Sequence, residues 1–114
     1  MPVATHPRND TAPEATQLPD EGALLLDVRG PHEFEAGHAP MSLHVALADL
    51  PDRLDELPRD RTIICICRSG GRSKVASDYL AKLDFTTANL VGGMLDWFHE
   101  GHPTVSAQGE PEIR

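Results

Sequence analysis

At 114 residues the chain has room for one domain and one hydrophobic core, and 39% hydrophobic residues suffice for a small α/β unit but not for two. Eighteen acidic against ten basic residues give a formal net charge of −8, which argues against general nucleic-acid binding and suits a soluble protein. The two cysteines, Cys65 and Cys67, stand too close on an extended segment to bond to each other. That excludes a disulfide framework, points to a reducing, cytoplasmic setting, and makes a poor zinc site.

Met1 to Asp10 contains no apolar run and a single basic residue, Arg8, so it reads neither as a signal peptide nor as a transit peptide. No segment approaches the length of a membrane span. Residues 2–8 are expected to supply a short edge strand around Val3. Thr11-Ala12-Pro13-Glu14 reads as the start of a short helix that ends before Pro19, and Asp20-Glu21-Gly22 as a turn. Ala23 to Val28 is apolar on both faces, the pattern of a central strand in a parallel sheet. Asp27-Val28-Arg29 puts charges at the carboxyl end of that strand, where open α/β sheets place their sites. Arg29 is expected to pair with Glu33 and fix the following loop, and Asp27 to anchor a backbone amide. Gly30-Pro31 opens a short helix with Glu33 in its first turn, Phe34 pointing inward and Gly37 at its end. His38 is read as a turn residue that ties down the loop from Gly37 to Pro40, in preference to a general base.

Leu47, Leu50, Leu54 and Leu57 recur at helical spacing, with Pro51 expected at a first helical position and Pro58 ending the stretch. Asp49, Asp52, Asp55 and Glu56 read as a solvated face, since their spacing lacks the pattern of a calcium loop. Arg59-Asp60-Arg61 turns the chain into Ile63, Ile64 and Ile66, a β-branched run typical of an interior strand. After the loop that follows, Val75, Ala76, Tyr79, Leu80 and Leu83 keep a helical stripe. Thr86 to Leu90 is the last strand, and Gly92-Gly93 turns it into a helix carrying Met94, Leu95, Trp97 and Phe98. Trp97 is read as a core anchor. The helix ends at Gly101, ahead of Pro103, and residues 105–114 are expected as a loose polar tail after a domain spanning 1–104 with its core in 20–104.

The chemistry centres on Cys67-Arg68-Ser69-Gly70-Gly71-Arg72-Ser73, between the isoleucine strand and the helix. Two glycines let the backbone fold sharply, so that successive N–H groups can form an anion-binding nest. A helix N-terminus adds partial positive charge, and Arg68, Arg72 and Lys74 add full charges. All favour the thiolate of Cys67, the nucleophilic form, and suit a small anionic substrate. Cys65 is expected in the core.

This loop resembles the active-site loop of the rhodanese (sulfurtransferase) domain. Asp27-Val28-Arg29 with Glu33-Phe34, then Gly37-His38-Ala39-Pro40, then Asn89-Leu90-Val91-Gly92-Gly93-Met94 with Trp97, resemble its other motifs in the family's order. The resemblance implies an α/β fold of three layers, helices on both faces of a five-stranded, mostly parallel sheet, with the cysteine strand inside. It implies sulfane-sulfur transfer through a Cys67 persulfide, from an anionic donor such as thiosulfate to cyanide or a thiol. Arg68, Ser69, Gly70, Gly71, Arg72 and Ser73 would bind the donor, while Asp27, Arg29, Glu33 and His38 stay structural. No metal or organic cofactor is required. The alternative is a sulfur-carrier or regulatory module serving a partner protein. A cysteine phosphatase or arsenate reductase is a weaker reading, because four residues rather than five separate Cys67 from Arg72. Met41 stands where the family usually has glycine, so a left-handed backbone there would be strained or the turn reshaped; Asp84 stands where the family often has glycine, and the resemblance implies a left-handed cap there, which aspartate tolerates better than most residues.

Overall fold

The computed structural model describes residues 8–10 and 22–114. Five strands, β1 (Arg8–Asp10), β2 (Leu24–Asp27), β3 (Leu43–His44), β4 (Ile63–Ile66) and β5 (Thr87–Leu90), form one sheet. The order is β1-β5-β4-β2-β3 and every pair is parallel. The cysteine strand β4 is thus the middle strand, paired along its length with β2 and from Ile63 to Cys65 with β5. The helices are α1 (Pro31–Ala36), α2 (Gly71–Lys82) and α3 (Gly93–His99). The expected edge strand in residues 2–8 falls largely outside the described residues, and the edge of the sheet is formed at Arg8–Asp10. The helix expected from Thr11 also lies outside them.

Strand alternation splits the core into two layers. Leu25, Ile64, Ile66, Ala88 and Leu90 pack against Met94 and Trp97 of α3. Leu26, Val28, Ile63, Cys65 and Cys67 pack on the other face against Ala76 and Leu80 of α2 and against Leu50 and Leu57. Trp97 is fully buried and its indole N–H donates to the Pro103 carbonyl at 2.7 Å, so it anchors the core as expected. Asp84 adopts the expected left-handed conformation, φ 70°.

Two segments differ from expectation. The leucine-rich stretch forms two 3₁₀ segments, Leu47–Asp52 and Leu54–Glu56, rather than an α-helix. Pro51 lies inside the first segment, not at its start, and its missing N–H helps keep the hydrogen bonds short-range, as in Arg53 N–H to Leu50 O at 3.0 Å. At Met41 the second of the two expected outcomes holds: its φ is not positive, so there is no left-handed strain, and the Ser42 N–H and hydroxyl both donate to the Ala39 carbonyl, at 3.1 and 2.7 Å.

The second difference is the C-terminal segment, which is not loose. Val105 pairs with His38 in both directions at 2.9 Å, and the N–H groups of Ala107 and Glu112 donate to Glu35 O and Ala36 O, each at 2.9 Å. The segment thereby caps the last carbonyls of α1, and Ile113 packs against the core. Gly37 is extended at φ −179°, so it does not end α1 by a left-handed turn. A side chain there would run into the backbone of Glu112. A cavity of about 220 Å³ lies between this segment and α1, and none of its lining residues belongs to the cysteine loop.

Candidate active site

β4 delivers Cys67 to the carboxyl edge of the sheet, and Gly70, at φ +110°, reverses the backbone into α2. The thiol is 1% exposed and lies on the floor of the resulting loop. Its surroundings are polar on the loop side. The Gly70 N–H donates to Sγ at 3.1 Å, and Ser73 Oγ lies 3.3 Å from it. Burial opposes ionisation, but the Ser73 side chain and the N–H groups of Ser73, Gly70 and Ser69 outweigh it, holding the thiol below its ordinary range. Cys65, two residues earlier on the same face, lacks that nest, and burial pushes its thiol up to about 12.

The loop is held from behind by α3. The N–H groups of Met94 and Leu95, unpaired in the first turn of that helix, donate to the carbonyls of Cys67 at 2.8 Å and Arg68 at 3.0 Å. With those carbonyls turned toward α3, the loop N–H groups are left for the sulfur. The approach requires Gly93, at φ +57°: a side chain there would collide with the carbonyls of Cys67 and Arg68. Neither Gly93 nor Asn89, whose Oδ1 accepts the Ser73 hydroxyl proton at 2.5 Å, was assigned a site role from sequence. The visible signals were a glycine pair after a strand and an amide within a buried one.

The charged residues are distributed differently from expectation. Arg29 does not pair with Glu33. Its guanidinium is fully buried on Asp27, with Nε 3.0 Å from Oδ1 and Nη2 2.7 Å from Oδ2, and it also donates to Gly37 O at 2.7 Å. Asp27 and Arg29 are two residues apart and point to one side, whereas Glu33 lies on the far side of α1's first turn and meets Arg72. Both terminal nitrogens of Arg72 donate to Glu33, each at 2.7 Å. Asp27 also accepts the backbone N–H of Arg29, at 3.1 Å. Glu33 accepts the Gly30 N–H at 2.9 Å, and the Arg72 guanidinium holds its carboxyl down to about 2. His38 donates from Nδ1 to Phe34 O at 2.6 Å. Phe34 is half-buried, stacked between His38 and His44 with centroids 3.7 and 4.5 Å away. Arg68 and Ser69 are exposed at the loop rim, and Arg68 makes no ion pair among the described residues.

A strand, a glycine loop around a cysteine and a helix recur in many proteins; comparison with known families decides among them. The family model of the rhodanese-like domain matches residues 11–100. The chain belongs to the rhodanese-like domain family. It is 38% identical over 90 residues to a sulfurtransferase of Allochromatium vinosum, covering 78% of this chain and 84% of the relative. It is 33% identical over 96 residues to the thiosulfate sulfurtransferase GlpE of Pseudomonas syringae pv. syringae, covering 84% of this chain and 91% of the relative. Among solved structures, a rhodanese-related protein from Thermoplasma volcanium superposes with a TM-score of 0.81 at 29% identity, over 89% of this chain and 99% of its own. The rhodanese-like α/β fold is thereby shown, and at family level the chain is akin to sulfurtransferases. Among the described residues no three His, Cys, Asp or Glu side chains converge as metal ligands, and no helix is long and apolar enough to cross a membrane.

Proposed function

We propose that this rhodanese-like chain moves a sulfane sulfur from an anionic donor such as thiosulfate to cyanide or a thiol, carrying it as a persulfide on Cys67. The observation that supports this most directly is the Gly70 N–H at 3.1 Å from Sγ, in a loop whose neighbouring amides also favour the anion. The Cys67 thiolate attacks the outer sulfur of thiosulfate. A bond forms between Sγ and that sulfur, the bond from that sulfur to the SO₃ group breaks, and sulfite leaves with the electron pair. The persulfide anion gains the same amide donors. Cyanide or a thiolate then attacks the outer sulfur, and Cys67 departs as thiolate, completing a double displacement. Arg68, exposed at the rim, meets the donor and balances the leaving sulfite. Arg72 contributes positive charge beside the sulfur while bound to Glu33. Both cysteines are free thiols, which fits a reducing, cytoplasmic setting.

Intact-mass measurement after thiosulfate treatment tests the proposal. The chain should gain one sulfur atom, about 32 Da, lost again on adding cyanide, as a covalent carrier requires. The Cys67→Ala variant should gain nothing and should not convert thiosulfate and cyanide to sulfite and thiocyanate. Undiminished turnover in that variant would refute the assignment.

A further inference from the structure

β5 sends two polar side chains, Thr87 and Asn89, to the α2 face of the sheet, and both are buried. Thr87 has a structural use: its hydroxyl donates to Ser77 O at 3.0 Å. Asn89, 6% exposed, lies 2.5 Å from Ser73 Oγ, which lies 3.3 Å from Cys67 Sγ. Ser73 is held in place by the first turn of α2, and its carbonyl accepts the Ser77 hydroxyl at 2.8 Å. The freedom left at Ser73 is the direction of its hydroxyl proton.

That single proton faces two acceptors. With Cys67 as a thiol, S–H donates to Ser73 Oγ and Ser73 O–H donates to Asn89 Oδ1, so each proton has an acceptor. With Cys67 as an anion, Sγ can only accept, and the Ser73 proton turns to it. Asn89 Oδ1 would then face Ser73 Oγ with no hydrogen between two oxygens 2.5 Å apart. A half-turn about the Asn89 Cβ–Cγ bond removes the conflict by presenting Nδ2–H to Ser73 Oγ.

We infer that Asn89 is a positioning residue for Cys67, its amide setting which way the Ser73 hydroxyl points. The carbonyl faces Ser73 when Cys67 is protonated, and the amide nitrogen faces Ser73 when Cys67 is an anion. Cys67 loses its proton to solvent; Ser73 and Asn89 reorient and exchange none. The inference rests on the reading that Cys67 works as an anion, and it extends to the persulfide, which offers the same acceptor. Among the described residues, the other titratable or charged groups around Cys67 are Cys65 on β4, Arg68 and Arg72 in the loop and α2, Asp27 at the end of β2 and Arg29 just after it, Glu33 on α1 and Asp96 in the first turn of α3. None of them contacts Ser73 Oγ, so the amide orientation reports the state of one thiol.

The test is the pH dependence of Cys67 alkylation by iodoacetamide in the whole chain, read by intact mass and needing no sulfur donor. Asn89→Ala removes the N–H that backs the Ser73 hydroxyl once it has turned to the anion, against only a neutral hydrogen bond lost on the thiol side, so the midpoint should move up by about half a pH unit, a roughly threefold change in ionisation. Asn89→Asp, which can only accept and adds negative charge, should move it further. In a Ser73→Ala background, Asn89→Ala should add nothing, because Asn89 acts through that hydroxyl. An unmoved midpoint in both Asn89 variants, or a shift that survives in the Ser73→Ala background, overturns the inference. In the unsubstituted chain, the side-chain amide resonances of Asn89 should titrate with Cys67 and stay fixed in Cys67→Ala; resonances indifferent to Cys67 ionisation also overturn it. Normal coupling without sulfur transfer would uphold Asn89 and sink the sulfurtransferase reading instead.

Discussion

Ionisation of Cys67 sets whether the loop holds a nucleophile. Burial resists it while Ser73 and three loop amides favour it, with the favourable side prevailing. The reactive thiolate should therefore appear with a midpoint below 9.0, the ordinary thiol value, when alkylation rate is followed against pH, and under the proposed sulfurtransferase function turnover should rise through the same midpoint. Ser73→Ala should raise it. Glu33 makes a second, separable case. Its carboxyl is held at about 2 by Arg72, against an ordinary 4.5. A depressed acid contributes stability above its unfolded value, and the contribution fades as pH falls through 4.5 toward 2. Because Arg72 is 41% exposed, solvent screening limits the pair to about 1 kcal/mol. Glu33→Gln should cost that much in denaturant unfolding at pH 7, with the difference shrinking below pH 4.5. The strand, glycine loop and helix start around Cys67 were legible in the sequence, but the pairing of the arginines was not. Because charges seldom stay buried unless paired, Arg29 and the nearby Glu33 looked like partners. Which side of α1 each faces depends on Asp27, which shares a side with Arg29 and takes its guanidinium first.

Among the elements, α3 does more for the site than its sequence announced. The contact between Gly93 and the carbonyls of Cys67 and Arg68 joins chain segments that are distant in sequence, and only backbone atoms carry it. Gly93→Ala should cost at least about 1–2 kcal/mol from its left-handed backbone alone. It should also slow Cys67 alkylation by displacing the loop carbonyls, and an unaltered alkylation rate would count against that linkage. The C-terminal segment hid its role for a related reason. Ala107 and Glu112 cap α1 through main-chain N–H groups, to which polar composition is blind. Deleting residues 107–114 should expose the carbonyls of Glu35 and Ala36 and speed hydrogen exchange in α1 relative to α2. The leucine spacing of residues 47–57 was read correctly as a buried face, since Leu50 and Leu57 are in the core, yet Pro51 turned the helix type.

For the molecule as a whole, one strand feeds two separate layers. Ile63 belongs to the α2 side and Ile64 to the α3 side, although they are adjacent. Ile63→Val and Ile64→Val should each cost about 1 kcal/mol by calorimetry or denaturant unfolding. The double variant should cost their sum, because each void opens in a different layer; strong coupling would mean the layers are not independent. This layering was readable in advance from the unbroken apolar runs in β2 and β4, which only a doubly covered parallel sheet accommodates.

Cys67 sits flush with the floor of its loop, with 1% of its surface reachable. Under the sulfurtransferase reading, loading adds one S–S bond, about 2 Å, directed toward the rim. A partner that touches only that rim would then meet a protruding anionic atom in the charged form and a blank recess in the spent one. Loaded and unloaded molecules become distinguishable by touch, with no helix or strand required to move.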